Sequence, residues 1–268
     1  MARTGAMCVG LAVALVGCGG GEEKDPDEGT NGVGRLPAAK IETKARKAAL
    51  GARAVHLSGT VVSQGRSYRL DMRLKEDGGT GQVSTKDATF ELLRVGEDLY
   101  LKADADFWTH EEGAQGGGGT GNGTGTGDTG GDSAGTGSPG GPDADDRAAA
   151  RKLEDKYVKV PVGDPSYQQL GGFTDKKVLL DGLLGLHGTL TTGDRGEVAG
   201  VRTIRVLAGK GSGGSVDVSL EGAPYPLRLQ RAGDAGVIRL ADWNRDFELT
   251  APEKKDVVDY GQQLPAHD

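Results

Sequence analysis

Tyr68, Leu70, Met72 and Leu74 alternate without a break with Arg69, Asp71, Arg73 and Lys75. A period of two puts every apolar side chain on one face of a strand and every charged one on the other. The same pattern returns where Val216, Val218 and Leu220 flank Asp217 and Ser219, and where Leu227 and Leu229 flank Arg228 and Gln230. Such segments are half-buried antiparallel strands, and a chain built from them must fold around a sheet. Further strands are expected at 54–63, 79–85, 88–95, 98–103, 156–161, 188–193, 200–208 and 236–241. Hairpin punctuation separates them, as at Asp77-Gly78-Gly79, Gly96-Glu97-Asp98 and Gly209 to Gly214. A helix is expected over 36–50, where Ala38, Ile41, Ala45 and Ala48 share a face opposite Lys40, Lys44 and Lys47. A second helical region begins near Asp104 and resumes near Asp146, and a third covers Asp175 to Leu186. About eleven strands in two runs around these helices predict an α+β fold, one long curved antiparallel sheet with helices on one face.

The N-terminus has a different character. One charge, Arg3, precedes an uncharged stretch whose apolar part, 6–16, is too short to span a bilayer and suits the core of a signal peptide. It ends in Leu15-Val16-Gly17-Cys18, which resembles a bacterial lipobox. The thiol of Cys18 is the nucleophile that would carry a thioether-linked diacylglycerol, and small Gly17 gives a peptidase access to the bond before it. Two or more acyl chains then make a stable anchor. Residues 1–17 are therefore read as a lipoprotein signal peptide, 18–35 as a flexible tether, and 36–262 as a single domain. The expected location is the outer face of the cell membrane. Cys8 leaves with the signal peptide and Cys18 is consumed by lipid, such as palmitate, so the exported domain holds no disulfide.

Losing Arg3 takes the net charge from −7 to −8, which argues against nucleic acid as a partner. Of 48 glycines, 15 crowd into residues 113–141 with hardly an apolar residue among them. That tract cannot bury enough surface to offset its ordering entropy, so a disordered insert is expected there.

Several segments together resemble the actinobacterial lipid-carrier lipoproteins, the LppX/LprG group, similar in fold to the Lol-type lipoprotein carriers. They are the lipobox, the acidic Gly-rich tether and the Ala-rich helix. Then come Ala54-Val55-His56-Leu57-Ser58-Gly59-Thr60, Leu93 to Lys102 (LRVGEDLYLK), Phe107-Trp108 and Lys156 to Pro161 (KYVKVP). The resemblance covers roughly 36–260 apart from the insert. It implies an open half-barrel whose concave face, roofed by helices, forms an apolar cavity for triacylated lipids or glycolipids. It carries over no universal binding residue, and the Gly tract interrupts the helix that would help cap the cavity.

No catalytic constellation accompanies these features. Gly131-Asp132-Ser133-Ala134-Gly135 spells a nucleophile elbow and Gly125 to Gly130 a dinucleotide fingerprint, but neither has the strand-to-helix context its chemistry needs. His56, His110, His187 and His267 show no metal-ligand spacing. Trp108 and Trp243 read as aromatic packing, and Lys40, Lys44, Arg46 and Lys47 as a solvated helix face within reach of anionic headgroups. No enzyme activity, cofactor or metal is expected. The expected function is binding and shuttling of acyl lipid or glycolipid. Tyr68, Leu70, Met72, Leu74, Phe90, Leu92, Leu99, Leu101, Val216, Val218 and Leu220 are available to line a cavity. The same residues would make an ordinary core, and the alternative is an envelope interaction or sensor lipoprotein with no lipid cargo and an unknown protein partner. An enclosed apolar void of several hundred Å³ is the discriminating observation.

Overall fold

The computed structural model describes residues 27–63, 65–86, 88–105, 107–108 and 150–259. The lipobox with Cys18 and the Gly-rich insert 113–141 lie outside the described residues. Helix α1 (Ala38–Gly51) is followed by β1 (Ala54–Ser63), β2 (Arg66–Lys75), β3 (Gly78–Ser84), β4 (Thr89–Val95), β5 (Asp98–Ala103) and β6 (Tyr157–Val160). Helices α2 (Pro165–Thr174) and α3 (Lys176–Leu184) come next. They lead into β7 (Leu190–Val198), β8 (Val201–Ala208), β9 (Ser215–Ser219), β10 (Pro226–Gln230), β11 (Gly236–Ala241) and β12 (Val257–Asp259). All twelve strands form one sheet in the order β12-β6-β5-β4-β3-β2-β1-β11-β10-β9-β8-β7. The fold is α+β with a curved open sheet that is not closed into a barrel.

Each of the eleven expected strands is present. The sheet is mixed and not wholly antiparallel, because a twelfth strand, β12, pairs parallel to β6 at the edge. Its three residues, Val257–Asp259, are too few to show a period. Strand β7 runs five residues beyond the expected 193, to Val198; it is an edge strand, wet on both faces, and has no alternation to read. Strand β9 departs the other way: Asp217 and Ser219, expected on a wet face, are buried.

Glycines on the inner face let the sheet curl. Gly81 sits in β3 opposite Met72 at φ +155°, and a Cβ there would stand 2.1 Å from the Asp71 carbonyl oxygen. Gly59 of β1 is similar, at φ +146° and 2.1 Å from the Val237 carbonyl oxygen. Side chains at these points would hold the strands apart on the side where curvature crowds them.

The helices cover that inner face. α1 lies on β7, β8 and β10 and touches α3, while α2 lies on β2, β3 and β4. α1 buries Ala38, Ile41, Ala45 and Ala49, so Ala49 takes the place expected of Ala48, and the small side chains let its backbone approach the sheet. α2 was not expected: its sequence, PSYQQLGGFT, carries paired glycines, which disfavour a helix. Asp164 starts it by accepting from the Ser166 amide with Pro165 in the first turn, and Asp175 starts α3 by accepting from the amides of Lys177 and Val178.

Two peripheral segments complete the fold. Residues 27–36 are stitched to the β7–β9 end: Asn31 donates to the carbonyls of Ser219 and Gly222, and Arg202 donates to those of Glu28 and Gly29. Residues 27–35 of the expected flexible tether are thus held to the sheet, and residues 18–26 lie outside the described residues. At the other terminus, residues 242–256 run along the ends of the strands. Asn244 bonds Ala54, Lys75 donates to the Phe247 carbonyl, and Lys156 donates to that of Lys255 before β12 joins β6.

Candidate functional site

The inner face is assembled in rows set by strand register. One row runs Gly59, Leu70, Val83, Phe90, Ala103, and the next Leu57, Met72, Gly81, Leu92, Leu101, Val158. The third holds Val55, Leu74, Gly79, Arg94, Leu99 and Val160. From the far half of the sheet Val216 and Val218 of β9, with Leu220 just past its end, join the same cluster. All eleven residues singled out from the sequence therefore meet in one place, ten of them buried and Tyr68 half-buried against the others.

That face is filled. Met72, Leu74, Leu92 and Leu99 have no solvent-accessible surface, whereas the wall of a space wide enough for an acyl chain would be open to a water-sized sphere. Two hollows among the described residues lie at the margins of that face. One of ≈ 280 Å³ sits at the strand ends between His56, Arg73, Asp242 and Asp246, and one of ≈ 40 Å³ lies beside Leu186 and His187.

The roof over the face is thinly attached where α2 forms it. Thr174 is the one buried residue of α2, while Tyr167, Leu170 and Phe173 lie half-buried against the cluster. Polar clasps hold the joint between α2 and α3. Arg94, a cation in an otherwise apolar row, donates to the Thr174 carbonyl at 3.1 Å and reaches Asp175 at 3.5 Å. Lys176 is buried and donates to the carbonyls of Ala52 and Leu50 at the end of α1; burial pushes its ammonium below the usual lysine range. Tyr167 donates to the Glu97 carbonyl at 2.6 Å, and Arg46 pairs with Asp181 at 2.8 Å. Gly79 leaves room for this joint, since a Cβ there would meet Leu74 and the Thr174 carbonyl oxygen. Sequence reasoning passed over Arg94 and Lys176. The signal for Arg94 was present: it shares the alternation of Phe90 and Leu92, so it had to face inward.

Past β5, Phe107 packs on Phe90 at 5.4 Å and on Trp108 at 5.1 Å between ring centres. The Trp108 indole N–H is buried and finds no acceptor among the described residues. Trp243 stacks on Tyr225 at the opposite end, so both tryptophans pack as expected. His56 bonds Asp71, and no group of metal-ligating side chains occurs among the described residues. No helix among them is long and apolar enough to cross a membrane.

No family model and no curated protein matches the sequence. Among solved structures the chain is similar to LprF from Mycobacterium bovis, at 15% identity and a TM-score of 0.48, over 80% of this chain and 96% of that one. It is similar to the lipoprotein LppX of Mycobacterium tuberculosis at 13% and 0.41, over 80% and 98%. An uncharacterized conserved protein from Thermus thermophilus follows at 8% and 0.34, over 83% and 98%.

Proposed function

We propose that this chain is a lipid-anchored envelope lipoprotein that takes up an acyl lipid between its curved sheet and the α2–α3 roof, without catalysis. One observation carries the reading: a continuous apolar face spans the sheet, and over β2–β4 it is covered by a helix that buries a single residue, Thr174. Each acyl methylene buried contributes about 0.8 kcal/mol, so a long chain offsets the displacement of so light a cover. The unpaired Trp108 N–H supports it further, because an ester carbonyl entering beside Phe90 and Phe107 would supply the missing acceptor. Anchoring rests on Cys18: Cys18→Ala should abolish labelling by a fatty-acid probe, and equal labelling would remove the anchor from the proposal.

Uptake is tested with a fluorescent acyl probe and by native mass spectrometry of the unacylated mature chain. The chain should bind the probe and carry co-purified lipid. Arg94→Met, which unclasps the α2–α3 joint, should speed uptake. Neither probe nor lipid on the wild-type chain would leave the second reading, an interaction lipoprotein with a solid core. The absence of accessible surface on Met72, Leu74, Leu92 and Leu99 favours that reading.

A further inference from the structure

The outer face of the sheet has no part in the acyl reading, and its chemistry is different. Register sets Arg205, Asp217, Arg228, Arg239, Ser58 and Asp71 side by side across six strands from β8 to β2. Arg69 and Arg73 of β2 flank the row. Buried Asp217 is shared by Arg205 at 2.8 Å and Arg228 at 2.7 Å, the charge of Asp194 acts on Arg205 as well, and Asp71 hydrogen-bonds His56 at 2.7 Å. Arg69, Arg73 and Arg239 make no ion pair among the described residues. A chain of net charge −7 thus concentrates unneutralised guanidiniums on one face. Val62 and Val237, 37% and 43% exposed, stand within that patch, with Thr60 linking Val237 to Arg69 across the strands.

We infer that this face docks on an anionic phospholipid bilayer. The five cations are all arginine, and the planar guanidinium grips phosphate oxygens in pairs where an ammonium offers a point charge. Asp217 engages Arg205 through Nε and Nη2 and Arg228 through Nε, so Arg69, Arg73 and Arg239 are the guanidiniums left to meet phosphate. Aliphatic side chains among basic ones are the pairing that seats a surface in the headgroup layer, and the acidic remainder of the molecule is repelled, which selects this face. The eight residues 19–26, between the proposed anchor and Asp27, would keep the face within a few tens of Å of the membrane. The proposal stands apart from acyl uptake: docking without uptake would sink the carrier reading alone.

The test is cosedimentation of the chain from residue 18 onward, carrying Cys18→Ser, with vesicles of phosphatidylglycerol and phosphatidylcholine or of phosphatidylcholine only. Binding is expected to need phosphatidylglycerol and to weaken with salt. The double variant Arg69→Gln/Arg239→Gln should weaken it about tenfold or more, at roughly 1 kcal/mol per arginine. Lys40→Gln/Lys44→Gln/Lys47→Gln on α1 should leave it unchanged, and denaturant midpoints should match wild type in both variants. No preference for phosphatidylglycerol, or loss of binding in the α1 variant only, overturns the proposal. So does a dimer formed without vesicles and lost in Arg239→Gln, which would make a second copy the occupant.

Discussion

Asp27 accepts from Arg195 at 2.6 Å and lies 3.5 Å from Arg35. The Arg195 hydrogen bond, aided by the charges of both arginines, holds its carboxyl below the ordinary 3.8. The folded pKa is depressed, so the clasp contributes stability above about that pH and loses it as pH falls further. Amide protection over 27–36, measured against the intrinsic exchange rate at each pH, should fall on acidification below 3.8, and Asp27→Asn should lower it already at neutral pH. Unchanged protection in Asp27→Asn would show the clasp idle. Gly81 is constrained by its backbone, at φ +155° with the Asp71 carbonyl against the missing Cβ. Gly81→Ala should destabilise the fold by about 2–4 kcal/mol, read as a shift in urea midpoint. The alternation Phe90, Leu92, Arg94 made the inward course of Arg94 legible, whereas Lys176 was not, because its acceptors are carbonyls more than a hundred residues away at Ala52 and Leu50.

At the scale of elements, periodicity was a sufficient guide wherever one face of a strand is buried and the other wet. Strands β5 and β11 begin and end at the expected residues, 98–103 and 236–241. It failed where burial is not one-sided: β7 is wet on both faces and β9 buried on both. It failed for α2 as well, whose helix rests on the Asp164 cap and contact with β2–β4 and not on its own propensity. The eleven apolar residues were legible as one face; whether that face is hollow depends on packing, which no pattern of residue types records. The consequence is measurable at Leu70, 1% exposed on β2. Leu70→Ala should cost about 2–5 kcal/mol and Leu70→Trp about 1–3 kcal/mol through overpacking. A neutral Leu70→Trp would mean free volume behind the strand after all.

For the molecule as a whole, β5 and β6 pair directly although the stretch of chain between them holds 113–141, so an insert that is the solvated loop its composition predicts enters the folding free energy only through the logarithm of its length. Replacing it with a short turn should change stability by less than about 1 kcal/mol, and a larger loss in urea titration would show that the tract packs on the fold. The strand order has a further consequence, for assembly. Every pairing in the sheet joins strands consecutive in the chain except β1 with β11 and β6 with β12. The molecule is two meanders, β1–β6 and β7–β11, each built of pairings between strands adjacent in the chain. The seam between them cannot close until residues 236–241 have arrived, nearly two hundred residues after β1. Closing so long a loop is the slow, entropically opposed step, so folding should be limited by the meeting of β1 with β11. Until then the facing edges of both halves stand open, and the sheet waits on about the last eighth of the sequence to close.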